Sequence, residues 1–255
     1  MKIKNIVKGK GNKYIIKGDK NITLYDDVII SNNILFKKEL TEDEIEKYLK
    51  ENYKYEMLEK IIKFINRRTR SKYEIDKELD KYDLSSNDKS FIKNKLLKMN
   101  LYNDSLFVDS YIHEKFVISN DGPNKIKKDL LEHKIDEHII DEKMAYISNE
   151  DVIDKLTKIV LKKIRLNHKY SKNEFIKKML VDLVNQGYTS DMIYQIIIDN
   201  YNLDDTDKLE KEFDKLYRKY VNKYEKTKLI MTIKQKLYAK GYKVEDINQI
   251  INKKI

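Results

Sequence analysis

The sequence predicts a mainly α-helical protein in which tandem three-helix repeats form an elongated, curved solenoid behind a small antiparallel β-containing N-terminal domain. Three observations point there. The stretch Leu183-Val184-Asn185-Gln186-Gly187-Tyr188 returns 54 residues later as Leu237-Tyr238-Ala239-Lys240-Gly241-Tyr242, followed in each copy by an isoleucine run, Ile193 to Ile197 and Ile247 to Ile251. A looser pattern places an apolar residue four before a leucine, with a cap-like and then an apolar residue four and five after it. It recovers Ile126, Leu130, Lys134 and Ile135, and earlier Ile75, Leu79, Asp83 and Leu84, so the anchoring leucines Leu79, Leu130, Leu183 and Leu237 are spaced by 51, 53 and 54 residues. A nearly constant period of this length marks a tandem-repeat architecture. One proline, six glycines and 38% charged residues leave little room for irregular loops.

On this ruler the expected divisions are a β-rich domain ending in a helix at 1–50 and three-helix repeats at 51–104, 105–148, 149–203 and 204–255. In the N-terminal stretch, Ile3, Ile6 and Val7, then Tyr14, Ile15 and Ile16, then Ile22, Leu24 and Tyr25 form short β-type runs. Gly9-Lys10-Gly11-Asn12 and Gly18-Asp19-Lys20-Asn21 separate them with hairpin turn chemistry. The Gly9 and Gly11 pair is not a phosphate loop, because no Gly-Lys-Ser/Thr follows it. Asp26 to Asn33 is expected to form one helical turn and Leu35 to Glu39 another extended piece.

From Thr41 the period becomes helical. Thr41 with Glu44 reads as a capping box before Ile45, Tyr48 and Leu49, and Leu58, Ile61, Ile62 and Ile65 form the inward face of the first repeat helix. A basic corner, Asn66 to Ser71, leads to a second capping box at Ser71 and Glu74, and Phe91, Ile92, Leu96 and Leu97 mark the third helix. Leu101 with Asn103-Asp104 turns into the second repeat, which carries Leu106, Phe107, Tyr111 and Ile112, a break at Ser119 to Pro123, then Ile126 to Leu130 and Ile139 to Met144. Proline suits the first helical position. The third repeat opens with Ile153, Leu156, Ile159, Val160 and Ile164, and the fourth with Leu209, Phe213, Leu216, Tyr217 and Tyr220.

In every repeat the i, i+4 pair ending at the anchoring leucine shares one helix face, which must be buried. Gly187 and Gly241 stand where that helix stops, and glycine takes the left-handed conformation there without a Cβ penalty. Asp83 and Lys134 occupy the same place in the first two repeats, where aspartate tolerates that geometry moderately and lysine poorly, so those turns are expected to differ in shape. Ser85 or Ser86, Asp136, and Thr189 or Ser190 are the N-caps expected for the third helices.

The absence of cysteine excludes disulfides and thiolate metal sites. No apolar run approaches the roughly 18 residues of a membrane helix, and the N-terminus has no apolar signal core. A soluble cytoplasmic protein without a membrane partner is therefore expected. The net charge of +10 suggests an anionic partner, nucleic acid or an acidic protein surface, although lysine also serves as a general solvating residue in so Lys- and Ile-rich a chain. Enzyme chemistry has no convergent residues to work with. His113, His133, His138 and His168 are scattered, and the acidic pairs Asp26-Asp27 and Asp204-Asp205 read as turn or cap residues. No cofactor or metal is expected.

Laid out in this way, the chain resembles the RecX family, modulators of the RecA recombinase. Arg70-Ser71-Lys72-Tyr73-Glu74-Ile75 with Leu79 is similar to the family's R-S-x-x-E-L helix start, and Leu101-Tyr102-Asn103-Asp104 with Phe107 to its G-Y-L-N/D-D turn. Gly122-Pro123-Asn124-Lys125-Ile126 with Leu130 resembles the G-P-x-R/K-I/L start, and Leu183 to Tyr188 with Ile193 the later L-x-x-R-G-F unit. These motifs fall in order and at repeat spacing over residues 55 to 251. The chain departs by carrying Asn100 where the family has glycine, and Lys134-Ile135 where it has Gly-Phe; its first 50 residues match only members with an N-terminal extension. The resemblance implies a regulator, monomeric and cytoplasmic, that lodges in the groove of a RecA filament on single-stranded DNA. There it would limit filament growth and dampen ATP hydrolysis and strand exchange in recombination and DNA repair. Two other readings stay open: a helical-repeat protein that binds DNA directly, and a scaffold for another acidic partner.

The residues expected to make such contacts are Arg67, Arg68, Arg70, Lys127, Lys128, Lys162, Lys163 and Arg165, basic groups recurring near helix ends of successive repeats. Such a stripe could meet phosphates. Cations at helix C-termini are also favoured by the helix dipole alone. The 19 tyrosines, interleaved with lysine, could stack on unpaired bases, with Tyr188 and Tyr242 filling helix junctions instead.

Overall fold

The computed structural model describes residues 1–201 and 205–255. Asp204 and the expected division between residues 203 and 204 lie outside them. The chain forms two compact units, Met1–Ser110 with His133–Ile139, and Tyr111–Glu132 with Ile140–Ile255.

The first unit opens with strands β1 (Asn5–Lys8), β2 (Lys13–Lys17) and β3 (Ile22–Tyr25), an antiparallel meander in sequence order. The register pairs Ile6 with Ile16 and Ile16 with Ile22, so the apolar alternation falls on one face. α1 (Asp26–Ser31) supplies the expected turn of helix. Leu35 to Glu39 is not the extended piece expected: Ile34–Phe36 is a 3-10 turn, and only Glu39 bridges to Lys2 beyond it. The reason is Ile34, fully buried, which winds the chain inward behind the left-handed Asn33.

α2 (Glu42–Arg67) begins with the Thr41/Glu44 capping box and runs uninterrupted through residues 50 and 51. Its first half covers the sheet with Ile45, Tyr48 and Tyr55, and its second half serves the first repeat with Met57, Ile61 and Ile65. Leu58 and Ile62 are half-buried beside them. Buried Asn52 accepts a hydrogen bond from the Tyr25 amide at 2.8 Å, satisfying an outer-edge donor of β3. Phe91 packs edge-on against Tyr55, centroids 5.3 Å apart, and so joins the two clusters.

The helices that follow come in threes. The first set is α2, α3 (Lys72–Leu79) and α4 (Ser86–Lys98); the second is α5 (Asp104–Ile112) continued by a π-helical turn to Ile118, α6 (Pro123–Glu132) and α7 (Glu137–Met144). The third is α8 (Asn149–Arg165), α9 (Lys172–Asn185) and α10 (Ser190–Asn200), and the fourth α11 (Thr206–Tyr220), α12 (Lys226–Ala239) and α13 (Val244–Lys254). The four anchoring leucines are fully buried, as are Ile75, Ile126 and Ile233. Second helices lengthen from 8 and 10 residues to 14 in the last two sets, and the added turn inserts Phe175 and Leu229 into the core. Leu49, Leu97, Leu106 and Ile153 lie outside the buried faces and are about half exposed.

The turns after the second helices settle a point the sequence left open. Gly187 and Gly241 have φ of 93° and 81°, as glycine there predicts, but Lys134 also adopts φ 59°. The residue after each of these turns, Ile135, Tyr188 or Tyr242, is buried, and only a left-handed link returns the chain to the core at once. The second repeat thus keeps the shape of the later ones despite its lysine. The first turn does depart, with Asp80 to Tyr82 making a longer passage to Leu84. Asn100, where the resemblance expects glycine, adopts the left-handed conformation at φ 57°.

These turns also join one repeat to the one before it. Within the second unit, Gly122 N–H donates to Gln186 O at 2.6 Å and Asn124 N–H to Gly187 O at 3.1 Å, while Ser171 Oγ donates to Lys240 O at 2.7 Å and Asn173 Nδ2 to Gly241 O at 3.0 Å. Amides at helix starts lack intrahelical partners, and the neighbouring turn supplies acceptors. Lys72 N–H donates to Asp104 Oδ1 at 2.8 Å and Lys172 N–H to Asp205; Pro123, at the matching position, has no N–H to satisfy.

Candidate functional site

The basic corner is built by two helix ends. α2 stops at Arg67, Arg68 is extended, and Ser71 caps α3 by accepting from the Glu74 amide while the Glu74 carboxylate accepts from Ser71 N–H. That carboxylate also holds Arg68 Nη2 at 2.5 Å and Arg70 Nη1 at 3.2 Å. Burial pushes the Glu74 carboxyl up, but the Ser71 amide and the Arg68 and Arg70 guanidiniums outweigh it and hold it below the ordinary range. Arg70 lies over the Phe64 ring at 4.0 Å with its side chain 14% exposed, so it cements the corner. Arg67 alone of the three is exposed without an ion pair among the described residues.

The other predicted residues divide the same way. On α6, Lys127 pairs with Asp141 at 2.7 Å, and Lys128 is exposed. In the last turn of α8, Lys163 pairs with Asp182 of α9, whereas Lys162 and Arg165 face solvent. The structure therefore gathers Arg67, Arg68 and Arg70 at one corner, and Lys162, Lys163 and Arg165 at another, both at the C-terminal end of the first helix of a repeat. Lys127 and Lys128 lie within a second helix instead.

The α8 corner borders a hollow of about 310 Å³ lined by Lys163, Leu166, Asn167, His168, Lys169, Tyr170, Phe175, Lys178, Met179 and Asp182. Buried Asn167 fixes this loop: its Nδ2 donates to Tyr170 O at 2.9 Å and to the Tyr201 hydroxyl at 3.1 Å, and its Oδ1 accepts from Tyr170 N–H at 2.9 Å. Lys169 and Lys178 place ammonium groups 5.2 and 4.8 Å from the Tyr170 ring centre. A hollow with an apolar lining and a cationic edge suits an anionic group carried beside a flat apolar one. Sequence reasoning reached its Lys163 edge but not Asn167, whose role depends on Tyr201, 34 residues away. Tyr188 and Tyr242 are buried, with burial pushing both hydroxyls up to about 12. Among the described residues no group of His, Asp and Glu is placed to hold a metal ion, and no helix is long and apolar enough to cross a membrane.

The motifs that carry the family resemblance map onto the joints. Ser71, Gly122 and Ser171 begin second helices, and Gly187 and Gly241 seat against two of those starts. Comparison with known proteins agrees with this reading. Residues 103–144 match the family model described as RecX, second three-helix domain. "Regulatory protein RecX" of Listeria monocytogenes serotype 4a (strain HCC23) is 29% identical over 226 residues, 86% of this chain and 84% of that protein. The protein of the same name from Streptococcus equi subsp. zooepidemicus (strain MGCS10565) is 28% identical over 262 aligned positions, 99% of each chain. Among solved structures, "Crystal structure of regulatory protein RecX" shares the fold with a TM-score of 0.61 at 23% identity, covering 78% of this chain and 99% of that one. "Crystal structure of RecX from Lactobacillus salivarius" follows with a TM-score of 0.50 at 24% identity, over 57% of this chain and 95% of that one. Motifs, repeat joints, family model and relatives agree: this chain is similar to RecX regulatory proteins along most of its length.

Proposed function

We propose that this protein regulates a RecA-type recombinase by binding its filament on single-stranded DNA, limiting filament growth and dampening ATP hydrolysis and strand exchange. The carrying observation is the likeness to RecX proteins: a relative aligned along 99% of its length is named a regulatory protein. Four sets of three helices, proposed as repeats with the divisions given above, offer successive surfaces for a partner rather than one catalytic centre. Of the eight basic residues expected to make contacts, the exposed Arg67, Lys128, Lys162 and Arg165 remain available to phosphates or to carboxylates of a filament. The protein acts by occupancy, as a monomer in the cytoplasm, and requires no cofactor.

The test is single-stranded-DNA-dependent ATP hydrolysis by the cognate recombinase with this protein at substoichiometric amounts. Suppression at less than one molecule per recombinase protomer is expected. Unchanged hydrolysis at equimolar protein would refute the reading.

A further inference from the structure

The strongest unassigned feature of the second unit is the outer face of α11. Leu209, Phe213 and Leu216 fix its inner face in the core. Three of its four carboxylates, Glu210, Glu212 and Asp214, pair with Lys253 at 3.0 Å, with Lys240, and with Lys254 at 2.8 Å, while the fourth, Asp207, is exposed in the first turn, four residues before Lys211. What remains outside is Lys211, Lys215, Arg218 and Lys219, exposed and without an ion pair among the described residues. These four alone line a shallow depression of about 420 Å³.

Solvation alone does not account for this arrangement. Lys211 and Lys215, and Lys215 and Lys219, are like-charged i, i+4 pairs, which destabilise a helix. A solvating face interleaves the two signs; beyond Asp207 in the first turn, the acids of α11 are drawn off to neighbours and the cations left together. The patch continues beyond α11. Lys219 and Lys236 both place their ammonium groups 5.5 Å from the Tyr220 ring centre, and Tyr220 stacks on Tyr224 at 5.6 Å with planes 14° apart. Tyr220, not a carboxylate, holds these ammonium groups, so their positive charge is left uncompensated for an incoming anion.

We infer that this face of α11, Lys211, Lys215, Arg218 and Lys219, extended by Lys236, is a contact surface for the phosphodiester chain of a nucleic acid. Along a helix axis four residues advance about 6 Å, so the cations form a row that a linear polyanion can follow and a compact anion cannot. The contact needs no recombinase, so it can fail without affecting the function proposed above, and the reverse also holds.

The experiment measures binding of the full chain to a 30-nucleotide oligo(dT), to a duplex of equal length and to poly-glutamate across a salt series. The quadruple variant Lys211→Gln, Lys215→Gln, Arg218→Gln, Lys219→Gln is compared with a variant of equal charge loss at exposed N-terminal positions, Lys4→Gln, Lys8→Gln, Lys10→Gln, Lys20→Gln. Each phosphate contact on a single strand contributes about 0.7 to the slope of log affinity against log salt. The α11 variant is expected to lower that slope by about 3 with helical content unchanged, and the N-terminal variant by less than 1. A loss confined to oligo(dT) assigns the surface to single strands, and a loss on both DNAs to any phosphodiester chain. Equal effects of the two variants, or poly-glutamate binding as tight as DNA, would overturn the inference.

Discussion

Replacing Gly187 by alanine tests the joint between repeats most directly. Two terms add. At φ 93° a Cβ is strained whatever surrounds it, by about 1–2 kcal/mol. The added carbon would also lie 2.4 Å from the Lys125 amide nitrogen and 2.9 Å from the Gly122 carbonyl oxygen, both backbone atoms at the start of α6. Backbone cannot rotate away as a side chain does, so overpacking adds about 1–3 kcal/mol. The expected total is about 2–5 kcal/mol, together with loosening of the Gly122 N–H and Asn124 N–H bonds to this turn. Two glycines calibrate it. A Cβ at Gly241 meets Ser171 Oγ at 2.9 Å but no backbone atom closer than the Glu174 nitrogen at 3.2 Å, and should cost less. At Gly11, φ 67° with nothing within 4 Å, only the conformational term of about 1–2 kcal/mol applies. Urea unfolding followed by circular dichroism at 222 nm ranks the three. A Gly187→Ala cost no larger than that of Gly241→Ala would refute a joint built on backbone contact.

Three further outcomes are expected. Leu183→Ala and Leu237→Ala, at fully buried positions, should each destabilise by about 2–5 kcal/mol in the same titration. The Glu59 carboxyl is held down to about 2 by Lys63, the Tyr25 hydroxyl and Lys13, so its stabilising contribution is complete above the ordinary value of 4.5 and is lost as pH falls from there toward 2; hydrogen exchange of the β2 and β3 amides should accelerate over that window, and Glu59→Gln should flatten the dependence. Finally, the combined change Arg67→Glu, Lys162→Glu, Arg165→Glu should weaken filament binding at least tenfold with the circular dichroism spectrum intact, whereas Arg70→Glu should lower the melting temperature, because its partners Glu74 and Phe64 are structural.

Much of the fold was legible because its signals are local. Capping boxes at Thr41 and Ser71 require only residues three apart, and the buried i, i+4 pairs ending at Leu79, Leu130, Leu183 and Leu237 are visible as spacing. Leu35 to Glu39 misled for the opposite reason: a β-like run was overridden by the need to bury Ile34. The candidate site was legible only as charge. Eight basic residues look equivalent in one dimension, yet Arg68, Arg70, Lys127 and Lys163 are committed to carboxylates that come from 6, 4, 14 and 19 residues away.

The sequence by itself determined the repeat period, the helix starts and stops, and the surplus of positive charge, since each follows from residue type and spacing along the chain. Tertiary structure alone decided which cations are free, because ion pairing depends on which acids neighbouring helices bring near. It also decided that Lys134 takes a left-handed turn, because the burial of Ile135 outweighs the local preference of lysine.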